Sequence, residues 1–99
     1  MKETSFPEFE STAKAEGFDE VLERRWAPDA VVGVHTHPFA VKALMVEGEL
    51  WLTVDSATRH LRSGDRFELP RDVPHAERYC SEGALFRVAR RHVDGPAVR

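Results

Sequence analysis

The chain has 99 residues, with 14 basic and 17 acidic side chains and a formal net charge of −3. This length predicts one domain, and charges of both signs along the chain argue against a surface for nucleic acid or an anionic membrane. The N-terminus lacks an apolar secretion signal, and no window approaches the roughly 18 apolar residues of a membrane-spanning helix. These features and the single cysteine, Cys80, predict a cytoplasmic protein without an internal disulfide.

Residues 1–18 are predicted to form an N-terminal arm outside the main body of the domain. Pro7 suits the first turn of a helix, acidic residues follow it, and one short helix is expected near residues 7–16. Phe6 and Phe9 are too large to leave in water, so we expect them to anchor the arm. The anchor point is either the rest of the chain or a partner subunit.

The chain from residue 19 onward consists of short apolar runs separated by turn residues, a pattern typical of an all-β barrel or sandwich. The expected strands are, in chain order, residues 21–26, 30–37, 41–47, 50–54, 58–61, 67–69, 75–80 and 85–91.

Two histidines in the second of these strands, His35 and His37, flank Thr36. Side chains alternate along a strand, so both imidazoles project from one face with their α-carbons about 6 to 7 Å apart. That separation lets both rings bind one metal ion. Two solvent-exposed loop histidines would give the same pattern, so the pair alone leaves both interpretations open.

A third histidine, His75, follows a stretch bracketed by turn residues, Gly64–Asp65 on one side and Pro70–Pro74 on the other. These turns predict that His75 begins a strand. A ligand pair on one strand and a distant third ligand on another is the arrangement that closes a rigid mononuclear metal site.

The joint spacing of these residues resembles the cupins, small β-barrels that commonly carry a metal inside. The matching residues are His35, His37 and Gly48 in the first cupin motif and Gly64, Pro70 and His75 in the second. The chain departs from the motifs at Val41, where a glutamate is usual, at Asp72, which replaces a glycine, and at Tyr79, which replaces an asparagine. The resemblance covers residues 20–92.

The resemblance implies an all-β fold, a small antiparallel barrel of the jelly-roll type with a short N-terminal helical arm. Within a single domain of residues 1–99, it places the barrel at about residues 19–93 and a tail at residues 94–99. The metal would have three histidine ligands, where many cupins have four protein ligands. Because a chain of this size buries little surface, a homodimer is also expected.

Strand parity predicts which side chains face the lumen of the barrel. With the two histidines of the pair inward, Val31 and Gly33 share their face. The register of the family turns three more residues inward, namely Val41, Ala43 and Met45. Their neighbours Lys42, Leu44 and Val46 point away, and two apolar groups among them predict an outer face covered by another sheet, as in a dimer.

Glu77 and Tyr79 share the face of His75 by the same parity. Glu77 could be a fourth metal ligand, an acceptor that orients a histidine ring, or a general base. A rim glutamate paired with Arg87 or Arg90 is the competing interpretation. Tyr79 could offer its hydroxyl to a bound molecule or simply pack in the core.

For the remaining large and charged side chains we expect mainly structural or solvent-exposed positions. Trp26 and Trp51 are expected to fill the core or a subunit interface. The arginines are expected on a solvated strand surface, although an inward arginine would suit a carboxylate-bearing ligand. They are Arg24, Arg25, Arg87, Arg90 and Arg91.

Three neutral imidazoles suit zinc, iron, nickel, copper or cobalt, and three protein ligands leave coordination positions open for chemistry. One hypothesis is therefore a metal-dependent oxygenase, isomerase or lyase acting on a small organic molecule, with Glu77 or Tyr79 handling protons. The alternative is a noncatalytic module that binds or senses a small molecule in the barrel.

Overall fold

The computed structural model describes residues 5–92; residues 1–4 of the predicted arm and the predicted tail, residues 94–99, lie outside that range. One helix precedes six strands, and their bounds are α1 Phe6–Ala15, β1 Glu20–Trp26, β2 Val31–His35, β3 Ala40–Val54, β4 Ala57–Leu61, β5 Arg66–Leu69 and β6 His75–Arg91. The predicted all-β architecture with a short N-terminal helix is confirmed. In the described range no helix has the length and apolar character needed to span a membrane.

Two long antiparallel strands, β3 and β6, pair with each other from end to end. The first half of β3 also pairs with β5 and its second half with β4. The first half of β6 pairs with β2 and its second half with β1. Because each long strand passes through both halves, the sheet folds into two layers, one ending in β1 and β5 and the other in β2 and β4.

The long strands bend where two glycines meet. Gly48 and Gly83 both have positive φ, at 79° and 74°. A Cβ on Gly48 would lie 2.0 Å from the carbonyl oxygen of Gly83, and one on Gly83 would lie 2.3 Å from that of Trp26. Only glycine fits this backbone approach. The sequence predicted a break near these positions, but the chain bends without leaving the ladder, so each predicted pair of strands is one strand.

The space between the layers is filled by a core of buried side chains, and Ala43 and Met45 point into it as predicted, at 0% and 1% exposure. The buried members of this lumen core are Ala43, Met45, Leu50, Leu52, Leu61, Phe67, Leu69, Tyr79, Ala84, Phe86 and Val88. Burial of these apolar groups is the main driving force that holds the two layers together.

A second cluster lies outside the barrel, under the helix; we call it the helix cluster. It consists of Phe9, Ala13, Phe18, Leu44 and Ala89. The helix begins with a capping box in which the Ser5 side chain accepts from the Glu8 backbone N–H and Glu8 accepts from that of Ser5. Because Phe9 packs against Leu44 and Ala89 of the sheet, it anchors the arm to its own barrel. The predicted covering of Leu44 by another sheet is wrong, because α1 covers it.

The inward face predicted for β2 also needs correction. Val32 lies opposite Glu77 and His35 opposite His75, so β2 has one residue more than β6 between these pairs. This bulge exchanges the two faces of the strand. Val31 is consequently 73% exposed, whereas Val32 packs against the lumen core. Gly33 is exposed as well.

Candidate metal centre

Three histidines meet at one end of the lumen. His35 is the last residue of β2 and pairs with His75, the first residue of β6, while His37 lies just beyond the end of β2. Their candidate ligand atoms all lie within 4.8 Å of one another. The sequence predicted this convergence, although the end of β2 at residue 35 means that strand alternation is not what aims His37.

The turn before β6 holds His37 in place instead. The backbone N–H of Asp72 donates to the carbonyl oxygen of His37 at 2.9 Å. Arg71 donates through Nη2 to the carbonyl of Pro38 at 3.0 Å. Asp72 has a φ of 63°, a left-handed conformation that aspartate tolerates better than most residues. An aspartate can therefore occupy the position where the cupin motif has glycine.

Backbone carbonyls fix the orientation of two of the three rings. The Nδ1–H of His35 donates to the carbonyl of Gly33 at 2.7 Å, and the Nδ1–H of His75 donates to that of Val73 at 2.8 Å. Because a carbonyl only accepts, the proton of each neutral ring is on Nδ1 and the lone pair is on Nε2. This is the arrangement in which histidines bind metals through Nε2.

The two Nε2 atoms face the same carboxylate oxygen. Oε2 of Glu77 lies 3.4 Å from Nε2 of His75 and 3.6 Å from Nε2 of His35. Two lone pairs and an anionic oxygen at these distances repel one another unless a proton or a metal ion lies between them. A metal ion bound by the histidines would satisfy that requirement, because it would engage both lone pairs and offset the charge of Oε2. The donor set fits a transition metal.

His37 is also suited to remain neutral. Burial lowers its pKa because it penalises the charged form, and the neighbouring His35 and His75 lower the pKa further. The ring stacks on Phe39 with centroids 4.9 Å apart. A neutral imidazole retains the lone pair that a metal needs.

Glu77 is held from its other side by Tyr79, whose hydroxyl donates a short hydrogen bond to Oε1. Burial, followed by the charge of Glu77, raises the pKa of Tyr79, so the hydroxyl stays protonated at neutral pH. Tyr79 stacks on Trp26 with ring centroids 4.9 Å apart. The side chain of Glu77 is only 11% exposed.

The three histidines open into a cavity of about 340 Å³. Its walls are mostly apolar and include Val32 and also Val41, which was predicted to face inward. Volume and lining are typical of a pocket for a small molecule. The sequence placed Trp26 in a core or interface, yet it forms part of this wall.

Arg24 and Arg90 also line the cavity, contrary to the expectation of a solvated strand surface. Arg87 forms an ion pair with Glu23, and Arg90 forms one with Glu20. In β1 the side chains alternate between half-buried and exposed from residue 22 to residue 26. The inward position of Arg24 could have been predicted from the sequence by the same alternation. Arg24 has the parity of Trp26, a residue too large to face solvent.

Comparisons with known proteins agree with this architecture. Residues 17–87 match the model of the AraC-like ligand binding domain. A search of curated proteins gives no match. An RmlC-like cupin from Shewanella frigidimarina has a similar structure, with 24% identity, a TM-score of 0.65, and coverage of 83% of this chain and 73% of its own.

Two further solved structures are similar over smaller parts of their own length. An oxalate decarboxylase variant from Bacillus subtilis has 25% identity and a TM-score of 0.65, covering 72% of this chain and 20% of its own. An HTH_3 family transcriptional regulator from Vibrio cholerae has 18% identity and a TM-score of 0.64, covering 80% of this chain and 46% of its own. With the family match over residues 17–87, they lead to one conclusion: the chain belongs to the AraC-like ligand-binding domains and has a cupin fold.

Proposed function

We propose that this cupin domain binds one divalent transition metal ion through His35, His37 and His75 and presents it to a small organic molecule in the cavity. The observation that carries the proposal is the cluster of two fixed Nε2 lone pairs around one oxygen of Glu77. Zinc, iron, nickel, copper and cobalt all suit imidazole ligands.

The cavity supplies what such a site needs besides ligands. Three protein ligands leave coordination positions open, and a divalent ion bound here would polarise an oxygen of the organic molecule. The apolar walls bury the body of that molecule and exclude water from the histidines. The metal-binding end and the binding pocket are therefore one continuous site.

Glu77 is the group that we assign to proton transfer. Its Oε1 is occupied by the Tyr79 hydroxyl, which fixes the carboxylate plane and leaves Oε2 directed toward the histidines. Since Tyr79 remains protonated, it acts as a positioning donor and Glu77 as the acceptor of a proton from the bound molecule. An isomerase or a lyase uses such a transfer; an oxygenase with iron is the other metal-dependent reaction we consider.

A second candidate function is noncatalytic sensing, favoured by the family itself. The matching family is described as a ligand-binding domain, and one similar structure is a transcriptional regulator. A sensing domain would bind the same molecule in the same cavity but would release it unchanged. Turnover of a bound molecule by the metal-loaded protein separates the two functions, because only the catalytic function produces a new compound.

Elemental analysis of protein purified without an affinity tag or chelator tests the metal site. We expect about one equivalent of a transition metal in the wild type and loss of that metal in His35→Ala and His75→Ala. His60→Ala is the matched control, because His60 stacks on Trp51 and pairs with Glu49, away from the three-histidine cluster. Metal retained in both cluster variants, or no uptake by the wild type near pH 7.5, would contradict the proposal.

A further inference from the structure

We infer that the molecule bound in the cavity carries a carboxylate and that Arg24 and Arg90 recognise it. The inference rests on the proposed function, which places a small organic molecule in the cavity. Its evidence is a set of hydrogen-bond donors in the cavity wall that the chain itself leaves unused.

Arg24 is the first of these donors. Its guanidinium carbon lies 4.6 Å from the centroid of the Trp26 ring, which holds the planar group against the cavity wall. Among residues 5–92 the Arg24 side chain forms no ion pair or hydrogen bond, whereas that of its neighbour Arg25, on the outer face of β1, pairs with Glu47. A half-buried guanidinium with unpaired N–H donors is suited to bind an anion.

Arg90, the second guanidinium in the cavity wall, and Trp26 each have one buried N–H group. Within the described range, Nε of Arg90 and Nε1 of Trp26 are buried without a hydrogen-bond partner. Buried polar groups are normally paired, but neither atom is exposed to the cavity, so binding of an anion rests on the Arg24 guanidinium and on the other N–H groups of Arg90. Arg90 reaches Glu20 only at 3.5 Å, and Glu20 already has a stronger contact with His92 at 2.7 Å.

The balance of charge in the cavity favours an anion. Among the lining residues, two guanidinium groups, Arg24 and Arg90, and one carboxylate, Glu77, leave a formal charge of +1 with the histidines neutral. Glu20, outside the lining, already pairs with Arg90 at 3.5 Å, so Arg24 is the guanidinium that lacks an ion-pair partner among residues 5–92. Glu77 cannot compensate both arginines, because Tyr79 and the two Nε2 atoms already surround it. A divalent metal would make the cavity more positive still. A neutral ligand would leave the charge of Arg24 uncompensated.

A carboxylate suits these donors because a guanidinium binds it with two parallel hydrogen bonds. The rest of the ligand faces rings and aliphatic groups, including Phe39, Phe67 and Phe86. The cavity volume falls within the roughly 300–1,000 Å³ of typical small-molecule pockets. The expected ligand is thus a small organic acid with an apolar body.

Paired probes that differ only in charge test the inference. Acetate, benzoate and phenylacetate are each titrated against the corresponding amide by calorimetry, using both metal-free and zinc-loaded protein. For at least one pair we expect the acid to bind about tenfold or more tighter than the amide. Trp26 gives an independent signal, since its indole N–H resonance should shift with the acid while that of Trp51, outside the cavity, should not.

Three variants and one control variant test whether the arginines cause the preference. Arg24→Gln and Arg90→Gln should each reduce the preference for the acid, and Arg24→Lys should restore part of it because the charge remains. Arg25→Gln, on the exposed face of the same strand, should leave the preference intact. If Arg90→Gln fails to fold, Arg24→Gln and the Trp26 resonance still decide.

The two metal states separate this inference from the proposed function. An acid preference that depends on the arginines in metal-free protein supports the inference even if zinc is not taken up, in which case the metal proposal alone fails. Zinc uptake with equal binding of acids and amides, or with a preference unchanged in Arg24→Gln and Arg90→Gln, overturns the inference and leaves the metal proposal standing.

Discussion

The helix cluster and the three-histidine end of the cavity are built on opposite principles. In the helix cluster every buried group is apolar, and Phe9 and Ala13 of the helix cover Leu44 and Ala89 of the sheet. At the histidine end the chain places lone pairs beside a carboxylate and leaves donors unpaired in the same wall. The first region contributes stability through burial, whereas the second holds polar groups ready for a ligand.

Gly48→Ala should break both regions at once and have the largest effect. Its Cβ would lie 2.0 Å from a backbone oxygen of Gly83, and φ is 79°, so the paired strands β3 and β6 would have to separate at the bend. We expect a loss of more than about 3 kcal/mol in the free energy of unfolding, measured by urea denaturation. Gly64→Ala is the control, because Gly64 also has positive φ but has no atom within 4 Å of the added group. Equal losses in the two variants would contradict the role of the bend.

Phe9→Ala should damage the helix cluster alone. Phe9 is 2% exposed, and removing its ring leaves a cavity under α1. The expected loss is about 3 to 4 kcal/mol in the free energy of unfolding, with metal stoichiometry and cavity binding unchanged in the folded fraction. Phe6→Ala, at a half-buried position in the same turn of the helix, should cost less. Loss of metal in folded Phe9→Ala would show that the two regions are coupled.

Tyr79→Phe should change the position of Glu77 at the histidine end and should lower the stability only slightly. The substitution removes the hydroxyl that holds Glu77 and preserves the stacking on Trp26. We expect the free energy of unfolding to fall by about 1 kcal/mol, with retention of metal and weaker proton transfer by Glu77. Thr58→Val, which removes an exposed hydroxyl contact with Thr53, is the control and should change stability by less than about 0.5 kcal/mol. A Tyr79→Phe protein without bound metal would contradict the positioning role.

The pH dependence of the metal-free protein should show the smallest effect. The pKa of His37 is lowered in the folded state from its ordinary value of 6.5, so below pH 6.5 the unfolded chain takes up the proton first. Stability should therefore fall as pH decreases from 6.5 toward the lowered folded-state pKa. Urea denaturation between pH 7.5 and 5.5 measures this slope, and His37→Gln should flatten it while abolishing metal binding and preserving the fold. An identical slope in the variant would contradict this assignment.

The strands could be predicted from local patterns, whereas the meeting of His75 with the other two histidines was predicted from the joint spacing of the two cupin motifs. Turn residues, apolar runs and the spacing of His35, His37 and His75 gave the order of the strands and the candidate ligands. The bulge in β2 escaped detection because alternation assumes an uninterrupted ladder, and one extra residue between Val32 and His35 exchanges the faces. Arg24 and Arg90 were missed because a charged residue on a strand is usually solvated.

The two hydrogen bonds that orient His35 and His75 have a consequence for how this site can evolve. Each ring is held by the carbonyl two residues before it in the same chain segment, Gly33 for one and Val73 for the other. Backbone atoms survive substitution, so ring orientation does not depend on which side chains surround the cavity. Descendants of this chain can exchange wall residues and acquire new ligands while the imidazoles keep their direction.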